Sequence, residues 1–193
     1  MKIVPLSHEY HDDVLRLHES FLADPTKLQK SRFESGFLIN PLSSSKLQEI
    51  LDLRGQHCLV ALSDAGELLG YAIGFSVKGL SYMDPEYAKK LMGTLQIKSI
   101  DPERIFYHLY VASTKKEKGI GQSLMTFQLN YCKKQEYQAV ICEILHSPIQ
   151  NITSINFHKK YGFEFANLII PQELSGVTLG WAVYTLILPT PLT

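Results

Sequence analysis

The residues best suited to bind a charged ligand are two closely spaced glycines, Gly119 and Gly121, in the stretch KKEKGIGQSLM. They follow the β-rich run RIFYHLYVA and precede a segment with helical periodicity, so they occupy a strand-to-helix loop. Glycines let a ligand come close to backbone N–H groups, which here point outward at the positive end of the helix dipole. The loop therefore suits a pyrophosphate, and three lysines at positions 115, 116 and 118 add local positive charge.

The spacing around these glycines excludes two common nucleotide loops. A Walker loop needs Gly-Lys followed by Ser or Thr, whereas Gly121 is followed by Gln122 and Ser123. A Rossmann fingerprint needs a third glycine three residues after Gly121, and position 124 is leucine. Neither nucleotide fold fits the pattern.

Length and composition predict a single domain over residues 1–193. The chain is 45% hydrophobic and 20% charged, which is typical of a compact globular domain. Its 19 Lys and Arg balance 19 Asp and Glu, so overall charge indicates no nucleic-acid or membrane partner. The N-terminal segment reaches acidic residues before a signal-peptide core could form, so we expect a soluble, cytoplasmic protein.

The three cysteines, Cys58, Cys132 and Cys142, lie in apolar or amphipathic segments without the CxxC spacing of a metal site. We therefore expect buried free thiols and no metal. Cys142 points away from Glu143 along the same predicted strand, because neighbouring strand residues face opposite sides.

The order of predicted elements indicates a mixed α/β domain. A strand, KIVPL, leads into a helix capped by Ser7 that extends to Phe21, and Ser45 with Gln48 forms a capping box for a second helix. HCLVAL and ELLGYAIGFSV form a hairpin, and Asp84-Pro85 starts a further helix.

Later elements alternate in the same way. The helix after the glycine loop carries an apolar stripe of Ile120, Leu124, Phe127 and Tyr131. It leads to a buried strand, QAVICEIL, then to a helix that Asn151 caps and Gly162 ends, and finally to two strands. A central sheet flanked by helices is therefore the expected fold.

Two sequence blocks together resemble the GCN5-related N-acetyltransferase (GNAT) superfamily. The first is Leu109-Tyr110-Val111 followed by Lys116-Glu117-Lys118-Gly119-Ile120-Gly121, with lysine in place of the family's usual Gln or Arg. The second, NITSINFHKKYGF, supplies Asn151, Ser154, Phe157, Gly162 and Phe163. The resemblance implies a mixed, mostly antiparallel sheet in which the two strands that carry Leu109 and Glu143 separate.

The resemblance implies that the cofactor is acetyl-CoA, a form of coenzyme A. Its pantetheine arm would lie between the separated strands and its pyrophosphate would bind the glycine loop. The implied cofactor-binding residues are Leu109, Tyr110, Val111, Lys116, Glu117, Lys118, Gly119, Ile120, Gly121, Gln122, Asn151, Ser154 and Phe157.

Acetyl transfer to an amine requires two proton movements, one from the acceptor ammonium and one to the departing thiolate. Glu143 is the candidate base, because it is the charged residue in the apolar run AVICEIL and must be partnered or have a raised pKa. A structural carboxylate is the alternative interpretation. His158 stands where the family usually has a tyrosine acid, and it either donates a proton or merely packs. Tyr107 lies two residues before Leu109 on its strand and so points to the same face, which the resemblance implies would face the acceptor, whereas His108 points the opposite way.

The implied function is direct transfer of an acetyl group to a primary amine of a small molecule or a peptide N-terminus. The acceptor would bind near SRFESGFLINPLSS and LIIPQELSGVTLGW, which contain no acidic cluster of the kind that favours polyamines. The alternative is a non-catalytic module that binds or senses acyl-CoA. A homodimer is compatible with the family, but the sequence does not single out an interface.

Overall fold

The computed structural model describes residues 1–30, 33, 36–95, 97 and 100–189. Within that part of the chain, the strands are β1 (Lys2–Pro5), β2 (Leu59–Leu62), β3 (Leu68–Ser76), β4 (Ile105–Ser113), β5 (Ala139–Ser147), β6 (Glu164–Leu174) and β7 (Val177–Ile187). The helices are α1 (His11–Glu19), α2 (Ser44–Leu51), α3 (Val77–Met83), α4 (Pro85–Thr94), α5 (Ile120–Lys134) and α6 (Ile152–Lys159). Short 3-10 turns lie at His8–Tyr10, Pro25–Lys30 and Pro102–Arg104.

The described strands form one mixed sheet in the order β1-β2-β3-β4-β5-β7-β6. Neighbours are antiparallel except for the central pair, β4 and β5, which are parallel. Parallel neighbours need a crossover connection, and α5 provides it. The predicted α/β class, with a mostly antiparallel sheet flanked by helices, is confirmed.

Helices cover both faces of this sheet. On one face, α1 to α4 bury apolar side chains such as Val14, Leu47 and Leu91. On the other face, α5 and α6 bury Met125 and Ile155. The sheet is therefore the middle layer of three, and a gap within it would be lined by groups from both faces.

Two predicted helix starts are wrong. Ser7 precedes the 3-10 turn and makes no side-chain cap bond, so α1 begins at His11 and ends before Phe21. The cap of α2 is Ser43 rather than Ser45, since the Ser43 hydroxyl accepts the N–H of Lys46 at 3.1 Å. In the Ser-Ser-Ser run each hydroxyl has the chemistry of a cap, so only the backbone geometry selects the first.

The apolar stripe predicted on α5 is wrong in part. Ile120 and Leu124 are buried, but Phe127 is 51% exposed. The buried face is instead centred on Gln128, whose amide bonds to His108 and to the carbonyl of His57. A hydrophobicity pattern cannot find a buried polar residue whose partners come from other elements.

A helix between β3 and β4 was missed. The sequence pattern extends β3 through Val77, but the Ser76 hydroxyl accepts the N–H of Gly79 at 3.2 Å and starts α3. The next helix, α4, begins as predicted, with Asp84 as its cap and Pro85 as its first residue. Together α3 and α4, residues 77–94, are termed the insert below.

The cysteines Cys58, Cys132 and Cys142 are free and buried, as predicted. Among the described residues no group of three His, Cys, Asp or Glu side chains is placed to hold a metal ion. The described helices include none with the length and apolar character needed to cross a lipid bilayer.

Candidate active site

A gap opens in the middle of the sheet. Among the described residues, β4 and β5 pair over a short stretch only. It runs from Ile105, which pairs with Ala139, to Tyr107, which pairs with Ile141. Beyond this point β4 continues along β3 while β5 continues along β7, and a register shift between β3 and β4 skips Leu109. The strand edges that face the gap therefore expose N–H and C=O groups, which an extended ligand with amide groups could satisfy.

Two adjoining cavities occupy the gap. The larger, about 350 Å³, is lined by residues 107–111 of β4, residues 142–145 of β5 and part of the insert. The smaller, about 260 Å³, is lined by the end of β4 and by Lys115, Gly121 and Phe157. Val111 and Asn151 line both cavities, so the two form one groove from the insert to the start of α5.

The larger cavity contains a carboxylate held by two tyrosines. The hydroxyl of Tyr107 donates to Oε2 of Glu143 at 2.6 Å, and the hydroxyl of Tyr87 donates to Oε1. Burial raises the pKa of the Glu143 carboxyl, against the two tyrosine hydrogen bonds and the charge of Lys90. Burial and the Glu143 charge also raise the pKa of both tyrosines, which are therefore neutral donors at pH 7.

His158 lines the same cavity from the opposite face of the sheet. Its Nδ1 donates to the carbonyl of Ser154 at 2.8 Å, and its buried Nε2 has no polar partner among the described residues. Burial lowers the pKa of His158 to about 4, so the ring is neutral at pH 7. In the tautomer selected by the Ser154 carbonyl, Nε2 is a hydrogen-bond acceptor and carries no proton.

His108 points to α5, in line with the structural role expected for it. Its Nδ1 donates to Oε1 of Gln128 at 2.6 Å, because the Gln128 amide nitrogen donates to the carbonyl of His57. The imidazole rings of His108 and His158 are 5.4 Å apart. Leu109 has no pairing partner on β3, and this irregularity reverses the alternation of side chains between the two faces of the sheet. Tyr110 therefore packs on the same face as Tyr107.

The start of α5 has the backbone geometry that a bound anion requires. Gly119 caps the helix with a φ of 84°, in the left-handed region that favours glycine. Within the described residues, the N–H groups of residues 115–119 donate to no backbone carbonyl. A Cβ added to Gly121 would lie 3.5 Å from the Ser113 hydroxyl and 3.8 Å from the Phe157 ring. The two motif segments therefore meet at Gly121.

The side chains of the glycine loop play a smaller part than its backbone. Lys116 pairs with Glu67 at 2.9 Å, and the Ile120 side chain is buried in the core. Lys115 is the lysine that lines the smaller cavity. The predicted residues from Lys116 to Gln122 form the loop before α5 and its first turn, with Gly119 as the cap.

The segment of residues 36–42, termed the strap below, crosses the gap. On the β5 side, the amide nitrogen of Asn151 donates to the carbonyl of Phe37 at 2.9 Å. On the β4 side, the carbonyl of Asn40 accepts Nε2 of His18 at 2.9 Å and the hydroxyl of Tyr110 at 3.5 Å. The strap therefore holds the two sides of the groove together.

Asn151 also caps α6, as predicted, because its Oδ1 accepts the N–H of Ser154 at 3.2 Å. The two segments expected to bind the acceptor lie in part among the described residues. Residues 31, 32, 34 and 35 lie outside the described residues, but the strap and Lys46 line the larger cavity. From the late strands, Gln172 and Trp181 line it as well.

Sequence reasoning missed Tyr87. No local motif marks it, since a tyrosine three residues after a helix cap is common on a helix surface. The Asp84-Pro85 signal predicted the helix that carries Tyr87. It could not indicate that the Tyr87 hydroxyl bonds to Glu143, which lies 56 positions away. The strap residues Phe37 and Asn40 were missed individually for the same reason.

Sequence comparison identifies a family for the chain. A family model described as an acetyltransferase (GNAT) domain matches residues 68–169, from the start of β3 into β6. No curated protein matches the chain by sequence. The family match includes the gap, the glycine loop and the helix that Asn151 caps.

Several solved structures share the fold. An N-acetyltransferase from Staphylococcus aureus Mu50 has a TM-score of 0.65 at 16% identity, covering 96% of this chain and 97% of that chain. A ribosomal-protein-alanine N-acetyltransferase from Brucella melitensis has a TM-score of 0.63 at 16% identity, covering 97% and 100%. Arabidopsis thaliana NAA60, in complex with a bisubstrate analogue, has a TM-score of 0.65 at 12% identity, covering 96% and 97%.

The TM-scores show a common fold, and the family match covers more than half of the chain. This protein therefore belongs to the GNAT acetyltransferase family.

Proposed function

We propose that this protein transfers an acetyl group from acetyl-CoA directly to a primary amine of a small molecule or a peptide N-terminus. The observation that carries the proposal is the gap between β4 and β5, with Glu143 on its wall. The gap offers unpaired backbone groups for the cofactor arm and a carboxylate for the amine. Acetyl-CoA supplies the acyl group as a thioester.

The cofactor would lie along the groove. Backbone groups of Leu109 and Val111 face the gap and suit the amides of a pantetheine arm. The free N–H groups of the loop, with Gly119 and Gly121 at the head of α5, suit the pyrophosphate. Asn151, Ser154 and Phe157 line the smaller cavity between these two places. A backbone N–H near Val111 is also suited to stabilise negative charge on the thioester oxygen.

Glu143 would act as the general base. An acceptor ammonium group must lose a proton before it can attack, and a carboxylate with a raised pKa accepts protons more readily than an ordinary one. The Tyr107 hydroxyl orients this carboxylate through its bond to Oε2. Tyr107 is thus proposed as a positioning residue for the base.

The expectation that His158 is the general acid is at odds with its geometry. Its Nδ1 proton is used by the Ser154 carbonyl, and its neutral Nε2 has no proton to give at pH 7. We propose that His158 instead accepts a hydrogen bond from the bound cofactor, and that the departing thiolate takes its proton from solvent. Cys142 takes no part, because burial raises the pKa of its thiol well above the usual range.

The names of the structural neighbours do not reduce the range of possible acceptor amines. The Brucella protein is named for a ribosomal protein, whereas another structural neighbour is named for phosphinothricin. In this chain the larger cavity combines apolar walls, such as Leu80 and Trp181, with Glu143. Such a site suits a primary amine carried on an apolar group.

The proposal is tested by measuring thiol release from acetyl-CoA with three amines. The panel is phenethylamine, spermidine and a tetrapeptide with a free α-amine, and wild type is compared with Glu143→Gln. Exposed Glu164 provides the matched control Glu164→Gln. We expect release with at least one amine, its loss in Glu143→Gln, and normal release in the control.

The melting temperature with and without CoA gives an independent measure of cofactor binding. If CoA raises the melting temperature but no amine is acetylated, the protein is an acyl-CoA-binding module and the catalytic proposal fails. If ATP or NAD raises it in preference to CoA, the proposed cofactor is wrong.

A further inference from the structure

The insert has no topological purpose, because β3 and β4 are antiparallel neighbours that a two-residue turn could join. It instead forms a wall of the larger cavity, to which Met83, Asp84 and Tyr87 contribute. The wall is anchored, since the Asp84 side chain accepts the N–H of Tyr87 at 2.9 Å and Leu91 on the same helix is fully buried. The insert therefore brings the Tyr87 hydroxyl to a defined place at Glu143.

The two tyrosines that hold Glu143 differ in their freedom to move. Tyr107 is 5% exposed and belongs to the paired part of β4, so the packing around it holds its hydroxyl at Oε2. Tyr87 is half-buried on a helix outside the sheet, at the border of the cavity. A rotation of the Tyr87 side chain is enough to free Oε1. Because Tyr107 holds Oε2, Oε1 is the carboxylate oxygen that this rotation would make available to an entering amine.

Resting on the proposed function, we propose that Tyr87 is a positioning residue that occupies Oε1 of Glu143 in the absence of acceptor and is displaced by the acceptor's ammonium group. Before the acceptor binds, the Tyr87 O–H satisfies an oxygen that would otherwise be buried without a donor. On binding, an N–H of the acceptor donates to Oε1 in its place. Tyr107 keeps its bond to Oε2 in both states and preserves the orientation of the carboxylate.

Other ionisable groups surround Glu143 and act in both states. They are Tyr107 and Tyr110 on β4, Cys142 on β5, and Asp84, Tyr87 and Lys90 on the insert. Both tyrosine hydrogen bonds lower the pKa of Glu143. Removing either hydroxyl therefore raises that pKa before the acceptor binds. Only the Tyr107 hydroxyl still matters once the acceptor has replaced Tyr87.

The test compares Tyr87→Phe with the matched variant Tyr107→Phe. The pH profile of kcat/KM for the amine, at saturating acetyl-CoA, reports the enzyme before the acceptor binds, and the profile of kcat reports the enzyme with acceptor bound. In Tyr87→Phe we expect the acid limb of kcat/KM to move up by about one pH unit, as the loss of one charged hydrogen bond implies. The acid limb of kcat should not move, and KM for the amine should fall.

In Tyr107→Phe, both acid limbs should move up. If Tyr87→Phe also moves both limbs, Tyr87 stays on Glu143 when the acceptor is bound and the displacement is refuted. If Tyr87→Phe moves neither limb, the hydroxyl does not act on the carboxylate at all and the proposal is refuted as well. The melting temperatures of the two variants verify that each protein is folded.

A measurement without turnover separates this proposal from the function on which it rests. The carboxyl carbon of Glu143 is titrated by NMR in protein labelled with ¹³C-glutamate, and its signal is assigned by its absence in Glu143→Gln. Both tyrosine variants should raise the titration midpoint in the free protein. If Tyr87→Phe leaves the midpoint unchanged while an amine is acetylated, the role of Tyr87 is refuted and the proposed function stands. If the midpoint rises while no amine is acetylated, the proposed function fails and the displacement with it, and only the hydrogen bond from Tyr87 to Glu143 is supported.

Discussion

The two ends of the groove are built in different ways. At the end proposed to bind the cofactor, termed the cofactor end, the groups available to a ligand include backbone N–H groups of one short loop, with the Lys115 side chain beside them. Gly119 and Gly121 add no side chain there. At the acceptor end, the polar groups are side chains from β4, β5 and the insert, and Tyr87 meets Glu143 from 56 positions away. The first end depends on local chain geometry, whereas the second depends on the tertiary fold.

This difference teaches which substitutions act on which step. Side-chain changes at the acceptor end should alter the chemistry and leave cofactor affinity unchanged. A Cβ added at the cofactor end should alter affinity and leave the chemistry unchanged. The following predictions test that separation.

Glu143→Gln should produce the largest effect. Loss of a general base typically lowers rates by about 10²- to 10⁴-fold, and we expect kcat to fall in that range at pH 7. The affinity for CoA, measured by calorimetry, should stay within about twofold, because the backbone groups proposed to hold the cofactor are unchanged. Glu164→Gln is the control. A parallel loss of CoA affinity would contradict the separation of the two ends.

Acidification should destabilise the protein through its buried neutral histidines. Folded His158 stays neutral down to about pH 4, whereas in the unfolded chain it gains a proton below its ordinary pKa of 6.5. The unfolded state therefore binds more protons between these values, and stability is lost as the pH falls from 6.5 to 4. The difference between the folded and unfolded pKa of His158 corresponds to roughly 3 kcal/mol of unfolding free energy, which is lost over this pH range.

His158→Phe should remove its share of that pH dependence. Unfolding free energies from urea titrations at pH 7, 5.5 and 4.5 give the measurement. Burial lowers the pKa of His57 and His108 too, so a smaller slope of the same sign should persist. The control His8→Gln, at an exposed position, should leave the slope as in wild type. An unchanged slope in His158→Phe would show that its ring is not held neutral by the fold.

Gly121→Ala should weaken cofactor binding by about tenfold. This is the equivalent of one hydrogen bond between the loop and the ligand, which the added methyl group would prevent from forming. The methyl group fits the protein itself, since its nearest neighbours are at ordinary contact distance. Stability should therefore not fall. Gly93→Ala, on α4 with open space around it, is the matched control. If Gly121→Ala also lowers kcat at saturating acetyl-CoA, the proposal that this end of the groove affects affinity and not chemistry is contradicted.

Asn151→Ser should have the smallest effect, about 1 kcal/mol of unfolding free energy for one hydrogen bond. Serine can still cap α6 but is too short to reach the Phe37 carbonyl on the strap. Since the strap borders both cavities, KM should rise for both substrates. Asn151→Ala, which also removes the cap, should cost roughly 1 kcal/mol more. If only one KM changes, the strap serves one end alone.

The elements that form the proposed cofactor end could be predicted from the sequence, because their signals are local. The order of β4, the glycine loop and α5 follows from a β-rich run, two glycines and a helical pattern within 30 residues. The caps at Asp84 and Asn151 were also found, since a cap and its partner are three residues apart. The apolar setting of Glu143 was evident from its neighbours in the strand.

The acceptor end could be predicted only in part, because its contacts join distant segments. Nothing in the residues around Tyr87 indicates that its hydroxyl reaches β5. The tautomer of His158 depends on a carbonyl whose position is known only once α6 is folded. Buried Gln128 displaced the expected stripe on α5 for the same reason, since its two partners lie on other elements.

The short pairing between β4 and β5 has a mechanical consequence. Within the described part of the chain, it divides the sheet into two antiparallel halves that share three residue pairs in direct strand contact. A ligand that hydrogen-bonds to both edges of the gap would act as an additional strand between them. Amide exchange should then slow on both halves together when CoA binds, including at positions in β3 and β7 that never touch the ligand.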